Sequence, residues 1–373
     1  MYTDNEKIRI LQILPGGHVC GGIEIFVMNY YRELVKHGIQ FDFLVHYKEK
    51  GYFDDEIKEL GGKIYYLSVR EDKNLFKYIW QLFKFFNKHK EYKIIHGHMP
   101  GMAPIYFTVA KLMGVKHRIS HAHVTETEQT VKGRILKHII KNIHYFSNIY
   151  FACSKAAGNF MYGKLKYRVI HNAIQTNKFI FNEKKRYELR NKLGINDKYV
   201  IGHVGRFNLQ KNHDFLIDVF YEVSKLDESA VLLLIGEGPL EQQIKEKVNK
   251  LGLKDKVIFL GTRQDVADLY NVMDVFVLPS LFEGLGIVAV EAQTSGLPCI
   301  LSNKIPNETY ITKPVYYLDI NNNKKWAEKI ISLKDSDRKN MTNEIIKSGY
   351  DIKSEIEVLE KIYSGVQNEK SIS

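Results

Sequence analysis

The sequence offers little to tie it to an oxidising compartment, a metal or a bilayer. Its 373 residues include three cysteines, Cys20, Cys153 and Cys299. They are widely separated and fit no metal-ligand spacing, so they are expected to be buried thiols in a reducing cytoplasm. No run of about 18 apolar residues occurs, so no membrane-spanning helix is expected. The opening stretch MYTDNEKIRILQIL has early acidic residues, a short apolar run and no small-residue cleavage site, unlike a secretory signal. There is no G-x-G-x-x-G dinucleotide fingerprint, which argues against NAD. No RNP, zinc or helix-turn-helix signature appears, so nucleic acid is not an expected partner. One Asp-x-Asp triplet occurs, Asp335-Ser336-Asp337, placed where a charged helical tail would begin and where Asp and Ser are ordinary caps.

The composition is otherwise that of a globular protein, 45% hydrophobic and 26% charged, and the length calls for two domains. The charge is uneven. Residues 1–175 hold 26 Lys+Arg against 15 Asp+Glu, and the remainder holds 28 of each. The whole +11 excess therefore lies in the first half, which is expected to meet something anionic.

Strand-like segments alternate with helix-length ones in that half: 8–14, 41–46, 63–68, 93–96, 116–120 and 149–153 read as strands, and 23–37 as a helix. The pattern restarts with strands at 199–204, 230–235, 256–260, 275–278 and 298–302, and helices at 212–224, 240–251, 265–271 and 287–294. Alternation of this kind predicts two doubly wound parallel α/β sheets. The polar stretch 175–198 reads as a linker. In such sheets ligands sit beyond the carboxyl ends of the strands, so the loops there carry the argument.

The densest is VFVLPSLFEGLGIVAVEAQTSGLPCI, residues 275–300. A buried strand stops at Pro279. Glu283, Gly284, Leu285 and Gly286 follow, then a helix whose first N–H groups are free for an anion. Glu291 falls about one and a half turns into that helix, where a carboxylate can accept two hydrogen bonds from a vicinal diol such as ribose. A phosphate binder and a diol binder on one short segment suit a nucleotide-sugar; an ordinary strand–turn–helix with exposed glutamates is the alternative. In GHVGRFNLQKNHDFLIDVF (202–220), Arg206 and Lys211 flank a loop at a strand end and would neutralise a diphosphate, Arg as a fork and Lys as a point charge. In LLLIGEGPLEQQI (232–244), Gly236 and Gly238 make a tight turn, with Pro239 at a first helical position. In FLGTRQDV (259–266), Thr262 and Arg263 stand at another strand end, placed to meet a base.

In the first half, PGGHVCGGIE (15–24) joins strand to helix, and Gly21 and Gly22 can admit a phosphate or sugar. HGHMPG (96–101) and SHAHVTE (120–126) each follow a strand. The two imidazoles within each pair are expected to point apart, so metal ligation is not expected. The first pair reads as core or capping, and the second as the source of one active-site imidazole. The segments 75–92 and 132–145 mix aromatic or aliphatic residues with lysines at helical spacing, as basic helices on anionic lipid do.

Together, GRFNLQKN, LLLIGEGP, FLGTRQDV and the Glu283…Glu291 pair within EGLGIVAVE resemble glycosyltransferase family 4 on a GT-B fold, strongly over residues 199–308 and more loosely before 175. GGIE and SHAH are similar to its capsular and exopolysaccharide branch. The resemblance implies two Rossmann-like domains facing a central cleft: residues 1–175 on the acceptor side and 176–373 on the nucleotide-sugar side, with a last helix near 350–373 a candidate to pack back on the first. It implies retaining transfer from a nucleotide-diphosphate sugar, expected to be a UDP-sugar, to a glycan or lipid-diphosphate-linked acceptor. Arg206 and Lys211 would hold the diphosphate, Glu291 the ribose, and Glu283 the sugar hydroxyls. The Leu285 and Gly286 backbone would meet the phosphate, with Gly22 near it. The active-site histidine maps to His123, with His121 open. HNAI (171–174) departs from the Asn-Gly often found there. No cofactor and no metal are expected. The expected location is cytoplasmic, peripheral on the inner face of an anionic membrane. Alternatives are a GT-B nucleotide-sugar epimerase or phosphorylase, or a non-catalytic sugar-nucleotide-binding subunit.

Overall fold

Continuous apolar runs become strands buried on both faces, as parallel sheets require. The structure, a computed structural model, describes residues 8–16, 21–67, 72, 74–127 and 130–367. Residues 17–20 of the loop 15–24, Cys20 among them, and Ser68 lie outside the described residues; Cys153 and Cys299 are buried and form no disulfide among the described residues.

The first unit comprises residues 1–173 and 352–373. Its strands are β1 (Ile8–Leu14), β2 (Ile39–Val45), β3 (Ile64–Tyr66), β4 (Ile94–Gly97), β5 (His117–Ala122), β6 (Ile149–Ala152) and β7 (Arg168–Val169). They form one parallel sheet in the order β3-β2-β1-β4-β5-β6-β7. Its first helices are α1 (Gly22–Leu34), α2 (Asp54–Glu59), α3 (Leu75–Lys88), α4 (Ala103–Leu112), α5 (Val131–Lys141) and α6 (Lys155–Tyr162).

The second unit, 174–351, holds β8 (Tyr199–Val204), β9 (Ala230–Ile235), β10 (Val257–Phe259), β11 (Val275–Leu278), β12 (Cys299–Ser302) and β13 (Val315–Leu318), ordered β10-β9-β8-β11-β12-β13. Its helices are α7 (Glu183–Leu193), α8 (His213–Leu226), α9 (Glu241–Lys250), α10 (Val266–Val272), α11 (Ile287–Thr294), α12 (Asn323–Ile331) and α13 (Thr342–Lys347). The last helix, α14 (Ile352–Gln367), belongs to the first unit: Ile356, Leu359, Ile362 and Tyr363 are buried with the α1 and β1 side chains. The second unit therefore stops at Asp351 rather than 373.

Strand order reverses between β1 and β4 in one sheet and between β8 and β11 in the other. These switch points are where doubly wound sheets bind ligands.

Residues 175–198 are not a free linker, because they contain α7. Asn182 caps that helix through its side chain, and Arg186 and Arg190 both hold Asp274, just before β11. The helix was missed because EKKRYELRNKL is polar on nearly every face, and its anchor is an ion pair rather than an apolar stripe. Pro239 lies in the turn before α9, not at its first position. Asp335-Ser336-Asp337 does not open a helix: α13 starts only at Thr342. The edge strands β7 and β13 were missed as well, one for its two-residue length and the other for its aromatic, half-buried sequence.

Candidate active site

At the second unit's switch point, β8 runs into Gly205 and Arg206, and β11 into Pro279, Ser280 and Glu283. Lys211, just before α8, places its Nζ 2.6 Å from Glu283 Oε1. Ser280 Oγ donates to the same oxygen at 2.7 Å, and Gln210 Nε2 donates to Oε2 at 3.3 Å. Glu283 is thus held by three donors while almost fully buried. Arg206 is different: its guanidinium is exposed and makes no hydrogen bond or ion pair among the described residues.

Gly286 caps α11 in the left-handed region at φ 86°, a conformation that favours glycine. The free N–H groups of the first turn begin there, and Thr309 Oγ1 donates to the carbonyl of buried Leu285 at 2.5 Å, fixing the approach. Glu291 is 7% exposed and accepts a hydrogen bond from Tyr270 Oη at 2.8 Å. Burial pushes its carboxyl up to about 7, opposed by the Tyr270 bond and by the charge of Lys211.

The neighbouring loops are laced together. Gly205 N donates to Ile235 O, Phe207 N to Glu237 O, and Gly236 N to Gly261 O, at 2.9–3.0 Å. A Cβ at Gly236 would lie 2.3 Å from the Gly205 carbonyl oxygen, so packing of these loops accounts for that glycine. The Thr262 amide is held by Glu237 at 3.1 Å, and Arg263 forms a two-pronged ion pair with Asp265. Both residues are exposed at the end of the edge strand β10, with no direct bond to the Lys211–Glu283 cluster.

At the first unit's switch point, the two His-x-His pairs do not point apart. Residues i and i+2 of a strand share a face, and all four rings converge. His96 Nε2 is 3.1 Å from His121 Nδ1, and His98 Nδ1 is 2.8 Å from His123 Nε2. His98 Nε2 contacts Gln12 Oε1 at 2.9 Å, and His96 Nδ1 contacts Tyr363 Oη at 2.7 Å. Phe26 of α1 packs edge-on to His121 and His123. His96, His98 and His121 are fully buried, while His123, one residue past β5, is partly exposed. Burial drives all four imidazoles neutral, His123 to about 3. His96, His98 and His121 offer nitrogens within 4.8 Å of one another. A tetrahedral zinc with bonds of about 2.0–2.1 Å needs its nitrogens roughly 3.4 Å apart. Direct hydrogen bonds between rings account for the cluster as it stands.

Two family models match the chain: Glycosyltransferase Family 4 over residues 20–178, and Glycosyl transferases group 1 over residues 185–351. EpsF of Bacillus subtilis (strain 168), named as a glycosyltransferase, is 33% identical over 81% of this chain and 81% of its own. This chain is a family 4 glycosyltransferase. An Escherichia coli enzyme named UDP-Gal:alpha-D-GlcNAc-diphosphoundecaprenol alpha-1,3-galactosyltransferase is 26% identical over 97% of this chain and 98% of its own. The Staphylococcus aureus capsular polysaccharide biosynthesis glycosyltransferase CapH is 25% identical over 76% of this chain and 78% of its own. The transferase also shares its GT-B fold with the crystal structure of Anabaena HepE in complex with UDP and glucose, at TM-score 0.74 and 16% identity, covering 97% of each chain.

Within the transferase, the sequence motifs located Arg206, Lys211, Glu283, Glu291 and the start of α11, all near one switch point. Gly22 opens α1 beyond β1, where an added Cβ would meet nothing, so internal packing does not call for glycine there. Gln210, Ser280, Tyr270, Gln12 and Tyr363 were missed. Ser280 and Gln210 had a local signal, adjacency to Glu283 and Lys211. Tyr270, 21 residues from Glu291, and Tyr363, 267 residues from His96, had none.

Proposed function

We propose that this transferase moves a sugar from a UDP-sugar to a lipid-diphosphate-linked saccharide during capsular or exopolysaccharide synthesis, with retention at the anomeric carbon and without a metal. The observation that carries this reading is the pairing, on one short segment after β11, of an anion-ready helix start at Gly286 with the buried diol acceptor Glu291. The name of the E. coli galactosyltransferase supports the acceptor class, that of CapH supports a place in capsular polysaccharide synthesis, and the UDP and glucose bound to HepE support the donor class.

In the proposed reaction the bond between the anomeric carbon and the diphosphate oxygen breaks. The acceptor hydroxyl forms the new C–O bond from the same face and passes its proton to the departing diphosphate. Negative charge grows on the diphosphate and positive charge on the sugar ring. Arg206, Lys211 and the α11 N–H groups stabilise the first; one preorganised donor of this kind is worth roughly 10²–10³ in rate. Glu283, held by Lys211, Ser280 and Gln210, faces the sugar hydroxyls, and His123 orients the sugar.

Peripheral membrane attachment belongs to the same reading. No helix of the described residues is long and apolar enough to cross a membrane. On α3, however, Phe76 is 87% and Trp80 62% exposed, with Lys84 lying over the Trp80 ring. On α5, Val131 and Ile135 are exposed among lysines and Arg134. Exposed aromatics among cations suit a surface of anionic lipid.

The deciding experiment is a donor screen that detects released nucleotide, with and without a diphosphate-lipid-linked saccharide. Acceptor-dependent release from UDP-sugars alone is expected. Release only from another nucleotide, or only with a soluble acceptor, overturns the donor or acceptor assignment.

A further inference from the structure

Beneath His123 lie two hydrogen-bond chains that branch from one buried amide. Gln12 sits on β1 in register with His96 of β4, and its side chain touches both chains. One runs Gln12–His98–His123; the other runs Gln12–Tyr363–His96–His121.

A neutral imidazole has one donor nitrogen and one acceptor nitrogen, so a fixed partner at one end sets the direction of a chain. The Gln12 amide presents Oε1 to His98 Nε2 at 2.9 Å and Nε2 to Tyr363 Oη at 3.5 Å. An amide oxygen only accepts, so His98 carries its proton on Nε2 and donates it to Gln12. His98 Nδ1 is then a lone pair and accepts the proton of His123 Nε2, 2.8 Å away. The remaining nitrogen of His123, Nδ1, is an acceptor, with no hydrogen-bond partner among the described residues. The second chain has the same logic. Gln12 Nε2 donates to the Tyr363 oxygen, Tyr363 donates to His96 Nδ1, and His96 Nε2 donates to His121 Nδ1. His121 ends as a donor whose Nε2 is buried without a partner. The two terminal rings stack at 4.2 Å.

We propose that Gln12 and His98 are positioning residues that fix His123 as its Nε2–H tautomer, so that Nδ1 accepts a hydrogen bond from a hydroxyl of the transferred sugar. This rests on the reading of His123 as the active-site imidazole. Of the four rings, His123 alone is partly exposed, while its three neighbours and Gln12 are withdrawn from solvent. An acceptor nitrogen aligns a sugar hydroxyl without adding positive charge beside a ring that is itself becoming positive. A reversed amide at residue 12 would reverse the chain and turn Nδ1 into a donor. The side chain of Gln12 therefore decides what His123 offers.

The test begins with wild-type protein carrying ¹⁵N-labelled histidine. Long-range ¹H–¹⁵N correlation reads the tautomer, and the His123 signal is assigned by its loss in His123→Ala. A proton on Nε2 is expected; a proton on Nδ1, or an even mixture, overturns the proposal. Three variants then connect tautomer to rate. Gln12→Glu keeps an acceptor toward His98, so tautomer and kcat/KM stay near wild type. Gln12→Met keeps the volume and removes the acceptor, so the single tautomer is lost and kcat/KM falls roughly 10–100-fold, the scale of one mispaired buried hydrogen bond. Tyr363→Phe cuts only the other chain and leaves the His123 tautomer unchanged. Equal loss of kcat/KM in Gln12→Glu and Gln12→Met overturns the positioning role, as does wild-type behaviour in Gln12→Met. A tautomer that shifts in Gln12→Met with no change in rate overturns instead the reading of His123 as an active-site group.

Discussion

Lys211 and Glu283, 72 residues apart, form a 2.6 Å ion pair with side chains only 14% and 8% exposed, while Arg206, at the head of the same loop, has no partner among the described residues. The two cations that the sequence groups together are therefore not equivalent. Removing Lys211 strands a buried carboxylate, a change that costs up to about 3–5 kcal/mol, lessened here because Ser280 and Gln210 still donate. Removing Arg206 strands nothing. Arg206→Ala is expected to keep the wild-type Tm and lose roughly 10²–10³ in kcat. Lys211→Ala is expected to lose both Tm and kcat, and Lys211→Met with Glu283→Gln to recover the Tm but not the activity. Calorimetry beside steady-state kinetics checks this; an active Arg206→Ala would remove Arg206 from the chemistry.

Glu291 trades stability for binding. Its carboxyl titrates near 7 in the fold against an ordinary 4.5, because burial disfavours the charge. The folded state thus holds a proton that the unfolded chain gives up. The contribution of Glu291 to stability is greatest below about 4.5 and declines as pH rises to about 7, by about 3 kcal/mol in all. Glu291→Gln should abolish that decline and melt higher than wild type at pH 8. It should also raise the donor KM with little change in kcat, as expected when uniform binding is lost. Donor KM of the wild type should fall as pH rises through about 7. A flat wild-type stability profile between pH 5 and 8 would sink the argument.

Gly22 opens α1 with free space where a Cβ would go. Alanine suits a helix better than glycine by up to about 1 kcal/mol in the interior, and by less at the first position. Gly22→Ala should therefore hold or raise Tm. If the donor phosphate needs close backbone approach there, kcat/KM for the donor should fall at least tenfold. Full activity in a stable Gly22→Ala protein would show that nothing approaches this position.

Phe76 and Trp80 gain nothing for the fold while exposed, so replacing both with Ser should leave Tm unchanged. Burying an aromatic side chain of this size is worth about 1.5–3 kcal/mol. The double variant should then bind anionic liposomes at least tenfold more weakly in sedimentation assays, and wild-type binding should weaken in high salt. Equal pelleting of both proteins, or salt-insensitive binding, would refute attachment through α3.

Arg206 and Lys211 are proposed to neutralise the diphosphate themselves, and Asp335 and Asp337, of the lone Asp-x-Asp, lie exposed in an irregular segment before α13. Activity should persist in EDTA. A loss restored by Mg²⁺ or Mn²⁺ would assign the charge neutralisation to a metal.

Much of this protein was legible in its sequence. Apolar runs such as AVLLLI and VFVL are long enough to be buried strands and too short to be anything else buried, and their alternation with amphipathic segments dictates parallel α/β units. Glu283, Gly286 and Glu291 could be placed together because a turn and the start of a helix connect them within nine residues, so local geometry fixes their spacing. Tertiary structure decided what local geometry does not encode. Periodicity reveals the kind of element, but the order of strands in a sheet depends on how whole layers pack. Only that order sets β1 beside β4 and β8 beside β11. It brings Gln12, His96, His98, His121 and His123 into one network, closed by Tyr363 from a helix that returns to the first unit at the end of the chain. It likewise gives Lys211 to Glu283 and leaves Arg206 free, because the strand ends that meet at a switch point are distant in sequence and adjacent only once the sheet has formed.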